Sequence, residues 1–587
     1  MQLEDLGLIG NCQYAALVER TGAIVWCCLP RFDSEPVFGS LLDPDGGSFR
    51  VGPADHSAGT QRYLENTNVL ETVFDAPGGR FRVLDFAPRY ELHGRIFRPT
   101  QILRLLEPLE GSPRISVQCN PVRGWAKTRP IVTQGSNHLQ YEGFESALRL
   151  TTDVPLSYLD GRAFSLTSRH RLALTWGPPI EDPLPGLFDH ALSETVRHWQ
   201  QWVKYCDIPP LYQREVIRSA LALKLNCFED TGAIIAAVTT SIPEAPRSGR
   251  TWDYRYCWLR DAYYVVDAFR LLGHFAEREQ FITYVLNVAG ASPDLALMPL
   301  YNVAGSAELP EQIATNWAGF NGDGPVRIGN GAALHVQHDI FGELLLVLSP
   351  IFLDERFSAE RTPATLDLLM RLARKAIAVA GTPDRGIWEY RTDPKPQTFS
   401  SLMCWTAADR AASIADRFKP ELAGELRAAA NRIRDEIAAR AWNAQKDAYT
   451  GAYGDDNLDA SLLQMAMLRL FPADDAKMQR TIDAVWKGLS HDGWLMRYSD
   501  DDGFGKPTVA FILCTFWLIE ALASVGRMDE AKTLMDQAHQ IVSPLGLIAE
   551  DYDTATRLMA GNFPQAYSHV GFIRAAFAAA PRWRDVL

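Results

Sequence analysis

TPATLDLLMRLARKAIAVAG, Thr362–Gly381, is the stretch that decides how this chain folds. Thr362 suits an N-cap, Pro363 the first helical position and Gly381 the residue just past the end. Leu366, Leu369, Met370, Ala373 and Ile377 fall on one apolar stripe of a 3.6-residue period. Outward from this helix, from about Tyr212 to the last residue, the same period recurs in roughly twelve segments, about one every 31 residues. Their centres lie near positions 219, 266, 282, 340, 371, 409, 430, 464, 482, 515, 535 and 571. Connections between them alternate short and long, which predicts six hairpins closed into an (α/α)6 barrel. An open solenoid would show self-similarity from pair to pair, and none is visible. In a closed barrel the long loops converge on one end.

Upstream the pattern changes. AALVERTGAIVWCCL, RFRVLDFAP, TQILRLLEPL and RISVQCNPV are short runs bounded by Gly, Pro and Asp, and their spacing predicts an antiparallel β-sandwich. The proline-rich GPPIEDPLPG, Gly177–Gly186, marks a boundary, and HALSETVRHWQQWVKYC after it reads as a connecting helix. The expected organisation is an N-terminal β-sandwich over 1–180, a linker with its helix over 181–210 and the barrel over 211–587. A chain of 587 residues is too long for one core of ordinary size.

Composition narrows the function. With 47% apolar and 22% charged residues the chain is an ordinary folded protein, and a formal charge of -13 argues against nucleic acid or other polyanionic partners. Nine cysteines, odd in number and without CxxC pairs, suggest neither a disulfide framework nor a zinc site. Acidic rather than basic residues precede the first apolar positions, and no apolar run approaches the ~18 residues of a membrane span, so a cytoplasmic protein is expected.

Chemistry concentrates in three places. WDYRYCWLRDA, Trp252–Ala262, packs Tyr254, Tyr256 and Trp258 with two arginines and two aspartates just ahead of a helix. Aromatic faces stack on sugar rings while Arg and Asp orient hydroxyls; a buried Arg–Asp network capping a helix is the other reading. Glu389 in GIWEYR (Gly386–Arg391) and Glu550 in IAEDYD (Ile548–Asp553) each lie among aromatic residues just upstream of a helical segment. Two carboxylates facing one cleft are the minimum equipment for hydrolysing a glycosidic bond. Asp551 and Asp553 either position Glu550 or, for Asp553, begin a turn. Trp317, Trp405 and Trp494 either line sugar subsites or belong to the core, and His569 touches substrate or serves as hydrogen-bonded scaffold.

WDYRYCWLRDA, GIWEYR, AEDYD and GNFPQAYSHVGFI, in that order, resemble the motifs of glycoside hydrolase family 15, the glucoamylase and bacterial trehalase family. The stretch Gly10–Asp43 is similar to the start of its bacterial members. The resemblance implies a β-sandwich followed by an (α/α)6 barrel, Glu389 as general acid, Glu550 as general base, and Arg260 with Asp261 gripping the non-reducing glucose. Trp258, Trp388 and Trp317 are the aromatic residues expected to line substrate. Inversion of configuration is implied, and with it a separation of the two carboxyl groups of about 6.5–9.5 Å. The acid has to retain its proton, so Glu389 is expected in a partly desolvated setting beside Trp388; the base has to stay ionised, so Glu550 is expected in a wetter one. Two departures stand out: Ser400 and Ser401 replace a Ser-Lys pair of many bacterial relatives, and Ala549 replaces a serine before the base.

These readings converge on an exo-acting, inverting α-glucoside hydrolase of the glucoamylase or trehalase kind, taking a small neutral glucoside or oligosaccharide. The alternatives are a phosphorylase on the same barrel class, or a non-catalytic carbohydrate-binding protein. Neither a metal nor an organic cofactor is required by such a mechanism. The particular α-glucoside and the oligomeric state are not legible.

Overall fold

A computed structural model describes all residues, 1–587. Its N-terminal part is two antiparallel sheets. Seven strands, among them Leu6–Gly10, Ala15–Glu19, Ala23–Cys28, Ser48–Pro53 and Arg114–Asn120, form one; eight strands, with Gly79–Phe86, Gln101–Gly111 and His170–Trp176 near the middle, form the other. The seven-stranded sheet is covered on both faces, and its residue alternation sorts two cores. Along Ala15–Glu19, Ala16 and Val18 enter the sandwich core with Phe74, Phe81 and Leu172, whereas Ala15 and Leu17 join the core shared with the helices. Arg104 ties the sheets together. Fully buried on the eight-stranded sheet, it pairs with Asp85 at 2.7 Å and donates to the carbonyls of Gly22 and Phe49 on the opposite side, so its charge is fully satisfied.

The last strand ends at Trp176, and the first long helix, α1 (Leu184–Lys204), lies on the outer face of the eight-stranded sheet, with Leu184, Phe188 and Ala191 against Leu84, Phe86 and Leu103. The linker is thus a packed strut.

Twelve helices build the barrel: α2 (Gln213–Leu225), α3 (Leu259–Leu271), α4 (Phe275–Gly290), α5 (Ile340–Leu353), α6 (Pro363–Val379), α7 (Thr398–Phe418), α8 (Pro420–Arg440), α9 (Gln464–Leu468), α10 (Ala476–Leu489), α11 (Ile512–Ser524), α12 (Met528–Ala538) and α13 (Ala566–Ala579), with a single turn, α14 (Trp583–Val586), after them. The odd-numbered ones from α3 to α13 each touch the next, and α13 closes on α3, giving an inner ring of six inside an outer ring of six. Inner helices are apolar almost all round, as in α11; outer ones carry one stripe, as in α10 with Met478, Thr481, Ile482, Val485 and Leu489. The caps of α6 are those its sequence announces: the Thr362 hydroxyl accepts from the Thr365 N–H, and Gly381 takes a φ of 70°. The segment expected near 340 begins there and runs on to Leu353, with Pro350 in its last turn.

Ring closure depends on close inner contacts. A Cβ on Gly342 of α5 would stand 2.3 Å from the Met403 carbonyl oxygen of α7, whereas Gly424, exposed on α8, has nothing within 4 Å of such an atom. Gly342→Ala should therefore cost about 1–3 kcal/mol, and Gly424→Ala should stabilise by about 0.5–1 kcal/mol through helix propensity. Thermal unfolding of the two variants checks this; equal shifts in the same direction would contradict it.

Candidate active site

Site residues come from the connections that lead from an outer helix to the next inner one, or from the first turn of the inner helix. These connections are long, 226–258 before α3, 291–339 before α5, 380–397 before α7 and 539–565 before α13, while the return from α7 to α8 is Lys419 alone. Closure of the ring brings them to one end.

Glu389 sits between α6 and α7 with a φ of 61°, an uncommon region for a residue with a side chain, at a cost of order ~1 kcal/mol. Backbone bonds fix it there: its N–H reaches Gly386 O, and Arg391 N–H reaches Asp502 O at 2.9 Å. Three donors converge on Oε1, namely Trp258 Nε1 at 2.7 Å, Gln337 Nε2 at 3.2 Å and Arg260 Nη2 at 3.3 Å. Oε2 is left to the cavity.

Glu550 opens a hairpin of Asp551–Asp553 with Leu558–Ala560. Tyr254 OH donates to its Oε1 at 2.6 Å and Asn562 N–H to its Oε2 at 3.1 Å. A Cβ on Gly561 would fall 2.7 Å from the Glu550 side chain, so glycine is needed there. The expected settings of the two carboxylates are reversed: Glu389 is 22% exposed in its side chain and Glu550 is 0% exposed. The reason is that the hairpin and the Tyr254 ring enclose Glu550, while Glu389 projects from a loop into open space. Burial, and then the negative charge of Glu244, push the Glu550 carboxyl up to about 7. Asp551, buried beside it with both oxygens unpartnered, is pushed well above the ordinary range by burial.

Arg260 and Asp261 form the first turn of α3. Arg260 faces Gln337 Oε1 at 2.7 Å and Asp339 at 3.4 Å besides Glu389. Burial raises the Asp261 carboxyl to about 7; its Oδ2 faces Arg260 Nε at 3.6 Å, beyond hydrogen-bond reach, and these two atoms and Tyr567 OH are buried without a hydrogen bond. Two adjoining cavities open between these groups. Trp258, Arg260, Asp261, Gln565 and Tyr567 line the inner one; Glu244, Arg250, Trp252, Asn330, Arg391, Asp502 and Phe504 line the outer one. Tyr254, Trp388, Glu389 and Arg497 line both.

Trp317 is not part of this cluster. Its indole N–H donates to the Trp125 carbonyl at 2.8 Å, its ring meets Trp125 edge-on, and Lys127 lies over it, all at the junction with the β domain, where a large apolar ring is buried by the second domain. Trp405 is buried on α7, and Trp494 packs on Tyr552. Asp553 holds a turn by accepting from Ala555 N–H and Thr556 OH. His569 is scaffold: Nε2 accepts from Ile548 N–H, Nδ1 faces Ser219 OH, and burial lowers it to about 3. Ser400 donates to Asp384 and Ser401 to the Gln397 carbonyl, so neither supplies a cation to the site.

Sequence reasoning passed over Gln337, Gln565, Tyr567, Asn562 and the cluster Glu244–Arg250–Arg497–Asp502, in which Arg250 bonds Glu244 at 2.8 Å and Asp502 at 2.5 Å, and Arg497 pairs with Glu244. Asn562, Gln565 and Tyr567 lie inside the quoted GNFPQAYSHVGFI; the signal was present without a role attached to each position. No helix is long and apolar enough to cross a membrane.

A family model described as glycosyl hydrolases family 15 matches residues 211–534, and one described as trehalase-like, N-terminal matches 1–153. The chain is 33% identical to a trehalase of Mycolicibacterium smegmatis over 98% of its own length and 90% of the relative's. It is 32% identical to a trehalase of Thermoplasma volcanium, over 97% and 92%. A solved bacterial glucoamylase complexed with acarbose superposes with a TM-score of 0.69 at 14% identity, covering 98% of this chain and 94% of that one, a likeness of fold.

Protonation of Glu550 should follow pH near 7. Tyr254→Phe removes a donor that favours the ionised form, so the midpoint should move upward. Carboxyl ¹³C NMR of glutamate-labelled protein, with Glu550→Gln for assignment, checks both; an unmoved midpoint in Tyr254→Phe would contradict the assignment.

Proposed function

Because the chain belongs to the glycosyl hydrolases of family 15, and is with them an exo-acting glucoside hydrolase, we propose that it cleaves a small α-linked glucoside with inversion, trehalose first among candidates. The observation that carries this reading is the junction of the two cavities at Glu389, with Arg260 and Asp261 in the inner one and Glu550 buried behind Tyr254. The inner cavity takes the non-reducing glucose. Its hydroxyls supply hydrogen bonds to Asp261 Oδ2, Arg260 Nε and Tyr567 OH, buried polar atoms that otherwise make none, and desolvated groups of that kind reward a chain end that supplies them.

Glu389, held through Oε1, presents Oε2 to the glycosidic oxygen as general acid. The three donors on Oε1 fix which oxygen carries the proton to be transferred and keep the other in line. A water on the opposite face of the sugar gives its proton to Glu550, whose carboxyl near 7 sits close to neutral operating pH, where a base works best. Attack by that water requires a carboxylate separation of about 6.5–9.5 Å. Trp388 spans both cavities as a stacking face, and its indole N–H is held by Asp459 at 2.9 Å. Two acids, Glu244 and Asp551, surround Glu550 while Arg497 is already paired with Glu244; such surroundings favour water over a phosphate nucleophile. Nine unpaired cysteines, eight of them buried, favour a reducing compartment such as the cytoplasm.

Glu389→Gln and Glu550→Gln should each lower kcat by about three orders of magnitude or more while KM changes little; near-wild-type turnover in either variant would remove that residue from the mechanism. Release of glucose across trehalose, maltose, isomaltose, kojibiose, nigerose and starch selects the substrate. Early NMR spectra of trehalose cleavage should show equal α- and β-glucose; α-glucose alone would mean retention.

A further inference from the structure

The outer cavity ends in a wall that cleavage of a single bond does not require. The Trp252 and Phe504 rings meet edge to face at 5.0 Å, and the Arg391 guanidinium lies 5.2 Å from the centre of the first and 5.6 Å from that of the second. Phe504 is 38% exposed, a large apolar ring kept at the mouth.

The segment that carries it is fixed at several points. Arg250 binds both oxygens of Asp502 and Tyr498 OH donates to the same carboxylate at 2.6 Å. Asp501 accepts from the N–H groups of Gly503 at 2.8 Å and Gly505 at 3.0 Å, and Asp502 from that of Phe504 at 2.9 Å. Gly503 stands at a φ of 100°, and a Cβ there would lie 2.9 Å from the Arg391 side chain. Loop and acid-bearing segment therefore interlock, since Arg391 is two residues beyond Glu389. Arg391 is anchored in turn on Glu311 at 3.3 Å, which also holds Arg327 at 3.0 Å.

We propose that Phe504, with Trp252 and Arg391, ends the leaving-group side after one sugar ring and so restricts the enzyme to disaccharides and glucosides with a small aglycone. The inference rests on the reading of the inner cavity as the site of the non-reducing glucose, which makes the outer cavity the place of the leaving group. Phe504 offers its exposed ring to one pyranose, and the indole set edge-on to it, with Arg391 over both rings, backs that face. A second leaving-group ring has to pass the plane that Phe504 occupies. Selectivity comes from blocked space, with no lost hydrogen bond needed to explain it.

The test is kcat/KM of the wild type, Phe504→Ala and Phe504→Leu on trehalose, maltose, maltotriose and maltoheptaose, with the unfolding temperature of each protein. The wild type should prefer its best disaccharide over maltoheptaose by about tenfold or more, and Phe504→Ala should move that ratio toward the longer chain by about tenfold as KM for the disaccharide rises. Phe504→Leu, which retains bulk, should fall between. A wild type that cleaves maltoheptaose as readily as a disaccharide overturns the wall and leaves the exo-acting reading intact. So does an unchanged ratio in the variants. Loss of all activity in both variants at an unchanged unfolding temperature would make Phe504 part of the reacting geometry instead, which also overturns the proposal. A wild type inactive on every sugar would take down the substrate reading first, and this inference with it.

Discussion

One stretch of backbone, Trp252–Asp261, touches both carboxylates, and the rest of the site is arranged around that constraint. Tyr254 OH is bonded to Glu550, Trp258 Nε1 and Arg260 Nη2 to Glu389, and the Tyr254 and Trp258 rings pack at 5.4 Å. Glu389 and Glu550 belong to different hairpins of the barrel, so neither loop alone fixes their relation. The shared segment does. It is itself anchored from the β domain: Arg255, fully buried and paired with Asp253, donates to the Ser34 carbonyl and stacks on Trp125. The sandwich thereby helps hold the segment against which both carboxylates are registered. Its stretch Leu29–Phe38 packs the interface and does not line either cavity.

Buried charge in this region is tolerated because it is paired in chains. Arg250 and Arg497 converge on Glu244; Arg250 continues to Asp502, and Asp502 to Tyr498. Removing one partner from such a chain leaves an uncompensated ion, which costs more than the pair contributes. The same chain carries the outer cavity wall and, through Glu244, presses on the protonation of Glu550. Stability and chemistry are therefore tied to the same few side chains.

Much of this was legible in the sequence because the signals are local or periodic. Twelve apolar periods and the alternation of short and long connections give the barrel, and Thr362 with Gly381 give the ends of α6. Glu389, Glu550, Arg260, Asp261, Trp258 and Trp388 occur in dense motifs and come together in the structure. What was not legible depends on three-dimensional neighbours. Trp317 is one of many aromatic residues in an aromatic-rich chain, and only the approach of Trp125 from the other domain decides where its face goes. The solvation of the two carboxylates was inverted because burial is set by Tyr254 and by the close approach of Gly561, residues distant from one another in the chain. Gln337, in the loop before α5, has no motif around it at all.

The inner cavity also has a charge asymmetry that suits glycoside chemistry. Asp261, Asp339 and Glu389 face the cation Arg260, Arg497 being paired with Glu244, and Glu343, with both oxygens free of hydrogen bonds, lies buried near Asp339. Burial holds Asp261, Asp339 and Glu343 above the usual carboxylate range, Asp261 to about 7, which keeps uncompensated negative charge out of the resting site. With the non-reducing glucose in this cavity, as proposed, an oxocarbenium-like transition state would put positive charge at an anomeric carbon bordered by these groups. Carboxyl oxygens already fixed beside that carbon would interact more strongly with the charged transition state than with the neutral sugar, which is the condition for an electrostatic contribution to rate.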